Sequence, residues 1–256
     1  MRHALLAIVS CPVVAAAASS FVSSSVCSSA SATIVLADGE SVSLEAIFGA
    51  EGDRIVRIGD QEFNFGVFVS HFAASGITLT ARIDDTPNAY GRFDTGFDIG
   101  GGFSDLLPSD DLPSMMSIGF TVTIVPKALK EGVLLHDAWM QFDGDASGVG
   151  SHAEVLEHLI APPQGELIGE LEVYDRVTLG GDELTRRKHA IVFGGPDGFG
   201  PVSSMIVEKT AAFFAMPVGG VASASLIEQR FSTIPSPGAL AIACVAGLAG
   251  FRRRRS

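Results

Sequence analysis

Apolar residues in this chain alternate with polar ones instead of recurring at helical spacing, and that period of two constrains the fold more than any other feature. Ser41-Val42-Ser43-Leu44-Glu45-Ala46 shows it, as does the run from Gln61 to Val69. Further β-rich runs fall at 76–83, 117–125, 133–142, 166–174, 188–193, 202–207 and 221–231, which predicts about ten strands. Turn residues cluster between them, at Asp84 to Asn88, Gly100 to Gly102, Pro108 to Asp111, Gly180 to Asp182 and Gly194 to Gly200. Many short strands with Gly, Pro and Asp between them and no alternating helices predict an all-β fold, an antiparallel β-sandwich of jelly-roll or Ig-like type. Inside that body one helix is expected, at Ala153 to Ile160, where Leu156, Leu159 and Ile160 share a side. A signal helix and a hydrophobic helix are expected to flank the sandwich.

The two ends differ from the body. Residues 1–32 carry no acidic residue, open with Met1-Arg2-His3, and run through two apolar stretches into a serine-rich patch. This is the layout of a secretory signal peptide, with small-x-small cleavage sites at Ala16 to Ala18 and at Ala30 to Ala32. The second site is preferred, because strand-like sequence starts straight after it; Ile8-Val9-Ser10-Cys11 also offers a lipobox-like alternative. At the other end, Pro235-Ser236-Pro237-Gly238 leads into an apolar run from Ala239 to Phe251, and Arg252, Arg253, Arg254 and Arg255 follow. A helix over that run would reach roughly 20 Å, short of the roughly 30 Å hydrocarbon core of a bilayer, so it suits a transient, enzyme-read segment better than a lasting anchor. The arginines favour the cytoplasmic side and leave the body outside.

Residues 234–256 thus resemble the PEP-CTERM sorting signal of exported bacterial proteins. The resemblance implies recognition by an exosortase-like transpeptidase, after passage through the Sec translocon and removal of the leader by signal peptidase. Where that family has Pro-Glu-Pro, this chain has Pro235-Ser236-Pro237, which keeps the ring-constrained backbone and removes a carboxylate. A plain C-terminal membrane tail is the alternative. The body, residues 33–233, resembles more loosely the exported β-sandwich proteins that carry such tails. The shared order is an early strand at Ile58 to Phe65, a central one at Ser117 to Val122, and late ones at Val207 to Lys209 and Ala222 to Phe231. That group implies surface material without catalytic residues.

All 29 acidic residues lie in the body with 12 of the 17 basic ones, so the body carries a net charge of −17. A surface of that sign repels phosphate backbones and argues against nucleic acid as a partner. Cys11, Cys27 and Cys244 all fall in the terminal segments, which excludes thiolate metal sites and cysteine nucleophiles from the body.

The sharpest chemical pattern is a twelve-position calcium loop. Asp143, Asp145 and Ser147 take its first, third and fifth positions, Gly148 its turn, Val149 and Ser151 its seventh and ninth, and Glu154 its bidentate twelfth. Against it, Gly150 replaces the usual apolar residue, and the preceding 133–142 run reads as strand instead of helix. Calcium is the one cofactor this suggests; the leading expectation is none. The six histidines lack the spacing of a helical zinc site, with His152 and His158 six apart. No Gly-x-Ser-x-Gly elbow occurs, and Asp84 with Asp85 or Asp110 with Asp111 are only nominal carboxylate pairs for glycoside hydrolysis. Trp139, the one tryptophan, sits in an alternating strand and reads as core packing ahead of sugar stacking. The expectation is a non-enzymatic, exported structural or adhesive protein within an exopolysaccharide layer. A calcium-dependent carbohydrate- or protein-binding module and a polysaccharide-active hydrolase are the alternatives.

Overall fold

A computed structural model describes residues 33–49, 54–88, 91–105, 112–163, 165–193, 200–217 and 219–234. The leader at 1–32, the three cysteines, Asp110, Asp111, the glycine-rich loop at 194–199 and the sorting motif from Pro235 to Arg255 lie outside those residues.

Two sheets pack face to face. One has eight strands, in the order β1 (Thr33–Leu36), β3 (Ile55–Ile58), β4 (Gln61–Ser70), β7 (Ser114–Ile124), β14 (Ser204–Phe214), β10 (His152–Ala161), β11 (Glu166–Val177) and β12 (Glu183–Arg186). The other has seven. Its path is β13 (Lys188–Val192), β8 (Leu134–Phe142), β15 (Val221–Ile234), β6 (Phe93–Ser104), β5 (Thr78–Ile83) and β2 (Ser41–Ser43), and β9 (Asp145–Ser147) pairs with β15 off that path. Every pairing is antiparallel except β1 with β3. The expected antiparallel sandwich is therefore present, with fifteen strands among the described residues. The surplus includes edge pieces of three or four residues, too short to display a period.

The helix expected at 153–160 is strand β10. Its inward positions are Ala153, Val155, Glu157 and Leu159, all buried. A charged residue in that inward row hides the alternation, so Leu156, Leu159 and Ile160 mimic a helical stripe. The turn expected at Gly100 to Gly102 lies inside β6, opposite an irregularity in β15 between Ala224 and Leu226. Two short helices, α1 (Leu44–Phe48) and α2 (Pro126–Lys130), close the ends of strands; α1 starts at Ser43, whose hydroxyl accepts the Ala46 amide.

Phenylalanine fills the space between the sheets. Phe63 and Phe65 of β4, Phe120 of β7, Phe97 of β6 and Phe231 of β15 form one cluster with ring centroids 5.1–6.3 Å apart. Such aromatic pairs add about 0.5–1.5 kcal/mol each beyond their buried area. A buried ion pair pierces this core. Glu157 and Lys209 face each other in register on β10 and β14, both with fully buried side chains, and form an ion pair. Across the sandwich Lys209 Nζ donates to Gln229 Oε1 at 2.8 Å and touches Met140 Sδ at 2.9 Å, residues that are themselves in register on β15 and β8. Burial pushes the Glu157 carboxyl up and the Lys209 ammonium down, and the attraction between them opposes both shifts.

Candidate functional site

The outer face of the seven-stranded sheet carries a continuous row of aromatic and ionic side chains. Alternation turns Arg82 of β5, Asp98 of β6, Glu228 and Arg230 of β15, and Trp139 and Gln141 of β8 away from the core. Arg230 is in register with Trp139, and Glu228 with both Asp98 and Gln141. Lys188, the first residue of β13, pairs with Gln141. Five adjacent strands thus span about 19 Å at roughly 4.8 Å per strand.

Hydrogen bonds hold this row in place. Asp98 accepts from Arg82 Nε at 2.6 Å on one oxygen and from Arg230 Nη2 at 2.6 Å on the other. The Arg230 guanidinium also donates through Nη1 to the Phe97 and Gln229 carbonyls, and its Nη2 approaches Glu228 at 3.5 Å. The hydrogen bond to Asp98, and that carboxylate's charge, hold the Arg82 guanidinium above its ordinary value. Arg230 lies 5.3 Å and the Lys188 ammonium 3.7 Å from the Trp139 ring centroid, a cation over an aromatic face in each case. Trp139 Nε1 donates to Asp94 at 3.3 Å. Asp94 also accepts from Asn88 and from the Ser232 hydroxyl, and Arg92 pairs with Asp137, so the segment before β6 is tied down beside the row.

Gly96 makes the close approach of β6 and β15 possible. A Cβ there would lie 2.1 Å from the Gln229 carbonyl oxygen and 2.9 Å from Arg230 Cα. No side chain fits, and the Arg230 backbone can sit against β6 only because of it.

Trp139 is therefore not the core residue the sequence suggests. The inward positions around it are Ala138, Met140 and Phe142, whereas Trp139 is half-buried on the outer face. The bulge near Asp137, where β15 shifts register between Ser232 and Thr233, puts Asp137 and Ala138 consecutively in buried positions and obscures which parity faces inward. Arg230 and Asp98 escaped sequence reasoning because each sits in a strand that also contains buried polar residues. The available signal was the repeated charge at outward positions, Asp94 and Asp98 on one strand with Glu228 and Arg230 on another.

The four calcium-loop residues do not share one loop. Asp143 fastens the irregularity in β15: its carboxylate accepts the Ser225 and Leu226 amides at 2.9 and 2.7 Å, and the Ser225 hydroxyl as well. Partial burial alone would raise the Asp143 carboxyl, but these bonds outweigh it and hold the group below its ordinary value. Asp145 and Ser147 belong to β9, paired with Ser223 and Val221. Glu154 lies in β10 and accepts from Arg176 Nη2 at 2.8 Å. Among the described residues no three His, Cys, Asp or Glu side chains are placed to hold a metal ion. His152 packs against Phe214, and His158 lies 3.3 Å from Glu170. Asp84 and Asp85 line a cavity at one end of the sandwich. Among the described residues no helix is long and apolar enough to cross a membrane.

No protein-family model and no curated protein matches the sequence. Among solved structures, the chain is similar to the Caldicellulosiruptor saccharolyticus module CBM27-1, determined in complex with mannohexaose. The TM-score is 0.28 at 10% identity, over 66% of this chain and 90% of that one. It is also similar to TmCBM27, a carbohydrate-binding module described for specific mannan recognition, with a TM-score of 0.27 at 11% identity over 76% of this chain and 96% of that one. These values are too low to carry residues or ligands from those modules to this chain.

Proposed function

We propose that this chain is a non-catalytic, exported β-sandwich that binds polysaccharide at the cell surface through the outer face of its seven-stranded sheet. The observation that carries this reading is Trp139, half-buried on an outer face and held among ionic groups already fixed by one another. A pyranose ring offers an apolar C–H face that stacks on an aromatic ring and a rim of hydroxyls that hydrogen-bond to planar guanidinium and carboxylate groups. Trp139 supplies the first. Arg82, Glu228 and Gln141 supply the second, while Asp98, itself buried, fixes the Arg82 and Arg230 guanidinium groups. Because strands carry these groups and ion pairs fix them, little side-chain freedom is lost when a ligand docks. A row about 19 Å long on an open face suits a polymer better than a small molecule.

Delivery rests on the termini. A leader read by the Sec translocon and signal peptidase, and a Pro-Ser-Pro tail handed to an exosortase-like transpeptidase, would leave the sandwich outside the cell with an exopolysaccharide as its partner. Mass spectrometry of the protein recovered from its host tests this part: a C-terminus near Pro237 supports sorting, and an intact Arg252 to Arg255 tail contradicts it.

Affinity electrophoresis in gels containing neutral polysaccharides tests the binding. The native chain is retarded by at least one of them, and Trp139→Ala removes most of that retardation. Equal mobility of native and variant in every gel that retards the native chain would refute the role of this face.

A further inference from the structure

Three reactive groups meet in the interior of the sandwich, away from the Trp139 face. Lys209 of β14 and Glu157 of β10 belong to the eight-stranded sheet, and Gln229 of β15 belongs to the other. All three are at most 1% exposed. Lys209 Nζ donates to Gln229 Oε1 at 2.8 Å, so the amine lies beside the carbonyl carbon of that side-chain amide. Glu157 pairs with the same ammonium, and the Gln229 amide also favours its charged form, which puts the carboxyl beside both partners. Gln229 Nε2 is nonetheless buried with no acceptor at hydrogen-bonding geometry. A buried donor is seldom left unpaired. The inward neighbours along the three strands, Val155, Leu159, Val207 and Ile227, are buried hydrophobics that close the group off from solvent.

These are the components of an amide exchange. Burial pushes Glu157 up and Lys209 down, so moving one proton from Nζ to the carboxylate turns the ion pair into a neutral amine and a neutral acid. A desolvated neutral lysine is a competent nucleophile, and an adjacent carboxyl can serve it as base and the leaving group as acid. Holding amine and carbonyl in contact replaces a bimolecular encounter with an intramolecular one, and burial shields the amide from hydrolysis.

We propose that Lys209 and Gln229 join in an intramolecular isopeptide bond, which the chain forms by itself with Glu157 as the proton carrier. The lone pair of Nζ attacks Gln229 Cδ, a C–N bond forms, and the carbonyl π pair moves to Oε1. Glu157 gives its proton to Nε2 and takes one from Nζ. The pair on Oε1 then re-forms the carbonyl, the Cδ–Nε2 bond breaks, and neutral ammonia leaves, taking the orphaned donor with it. Glu157 ends protonated beside the new amide. No oxidant or cofactor enters, and each chain reacts once. The ion pair is the state before closure. The bond ties one sheet to the other through the core, in a body whose sequence holds no cysteine to do the same with a disulfide.

Intact mass spectrometry of the full-length chain, refolded from urea and sampled over days at neutral pH, tests the proposal. The folded chain is expected to end lighter by one ammonia than its sequence requires. Chymotrypsin, which cuts after phenylalanines such as Phe214, places Lys209 and Gln229 in different peptides, and these are expected to stay joined. Glu157→Gln removes the proton carrier at nearly the same volume and is expected to keep the full mass while folded by circular dichroism. If that variant does not fold, the native mass and the joined peptides decide alone. The proposal is overturned if the folded native chain keeps its full mass, if its two peptides separate, or if folded Glu157→Gln closes the bond at the native rate.

Discussion

Replacing Lys209 with Met removes a charge at the centre of the sandwich and leaves Glu157 buried without its partner. Glu157 has no exposed side-chain surface, and the groups that Lys209 reaches across the sandwich are the amide of Gln229 and the thioether of Met140. An unpaired carboxylate there takes up a proton. With an ordinary value of 4.5, holding Glu157 neutral at pH 7 costs about 1.36 kcal/mol per pH unit over roughly 2.5 units, or about 3.4 kcal/mol. That falls within the roughly 3–5 kcal/mol typical of breaking a buried pair. In the variant the folded state holds one proton more than the unfolded state above pH 4.5. Its stability deficit therefore grows as pH rises and fades as pH falls toward 4.5. With a urea slope of about 2.5 kcal/mol per M, the unfolding midpoint of Lys209→Met drops by about 1.4 M at pH 7 but only about 0.3 M at pH 5, followed through Trp139 fluorescence. Adding Glu157→Leu removes the orphaned carboxyl and restores most of the loss. Equal midpoint shifts at the two pH values, or a double variant no better than the single one, would refute this view of the core.

Gly96→Ala places a methyl against the β15 backbone and is expected to lower stability by about 3 kcal/mol or more, read as a fall in Tm of roughly 6 °C or more. Asp143→Asn weakens the clasp on Ser225 and Leu226, for an expected loss of about 1 kcal/mol by urea unfolding at pH 7. Because Asp143 sits below its ordinary value when folded, its contribution is present above the unfolded value and disappears as pH falls through the folded one. The native and Asn chains therefore converge in strong acid. With those lone pairs engaged by β15, millimolar Ca²⁺ is expected to leave the native Tm unchanged in a thermal melt. Lys188→Ala uncovers the Trp139 ring at the cost of a cation–π contact of about 0.5–1 kcal/mol, so a stacked saccharide should bind about two- to fivefold more tightly in titrations.

The period of two made the sandwich legible from sequence, because strands such as β4 and β7 bury one face and wet the other. It failed where inward positions are polar. Glu157 in β10 breaks the pattern to form the buried pair with Lys209, and on the outer side Gly96 of β6 breaks it to let β6 and β15 approach closely. The candidate face was half legible. Trp139 stood out as a lone tryptophan, but its outward direction depends on register set by a neighbouring strand. The pairing of Arg82 and Arg230 on one carboxylate depends on side chains 132 positions apart in the case of Arg230 and Asp98. Asp143 to Glu154 matched a ligand spacing because turn chemistry and calcium loops draw on the same Asp, Ser and Gly residues.

Trp139 is the chain's only tryptophan, so its own emission reports on the proposed face without a label. Titrating the native chain with a panel of neutral hexasaccharides should give a saturable change in Trp139 emission with at least one of them, and Arg82→Ala, which strips the rim while leaving the fluorophore, should weaken that ligand severalfold. A polysaccharide that binds the protein with no change in Trp139 emission would place the binding elsewhere and contradict the account.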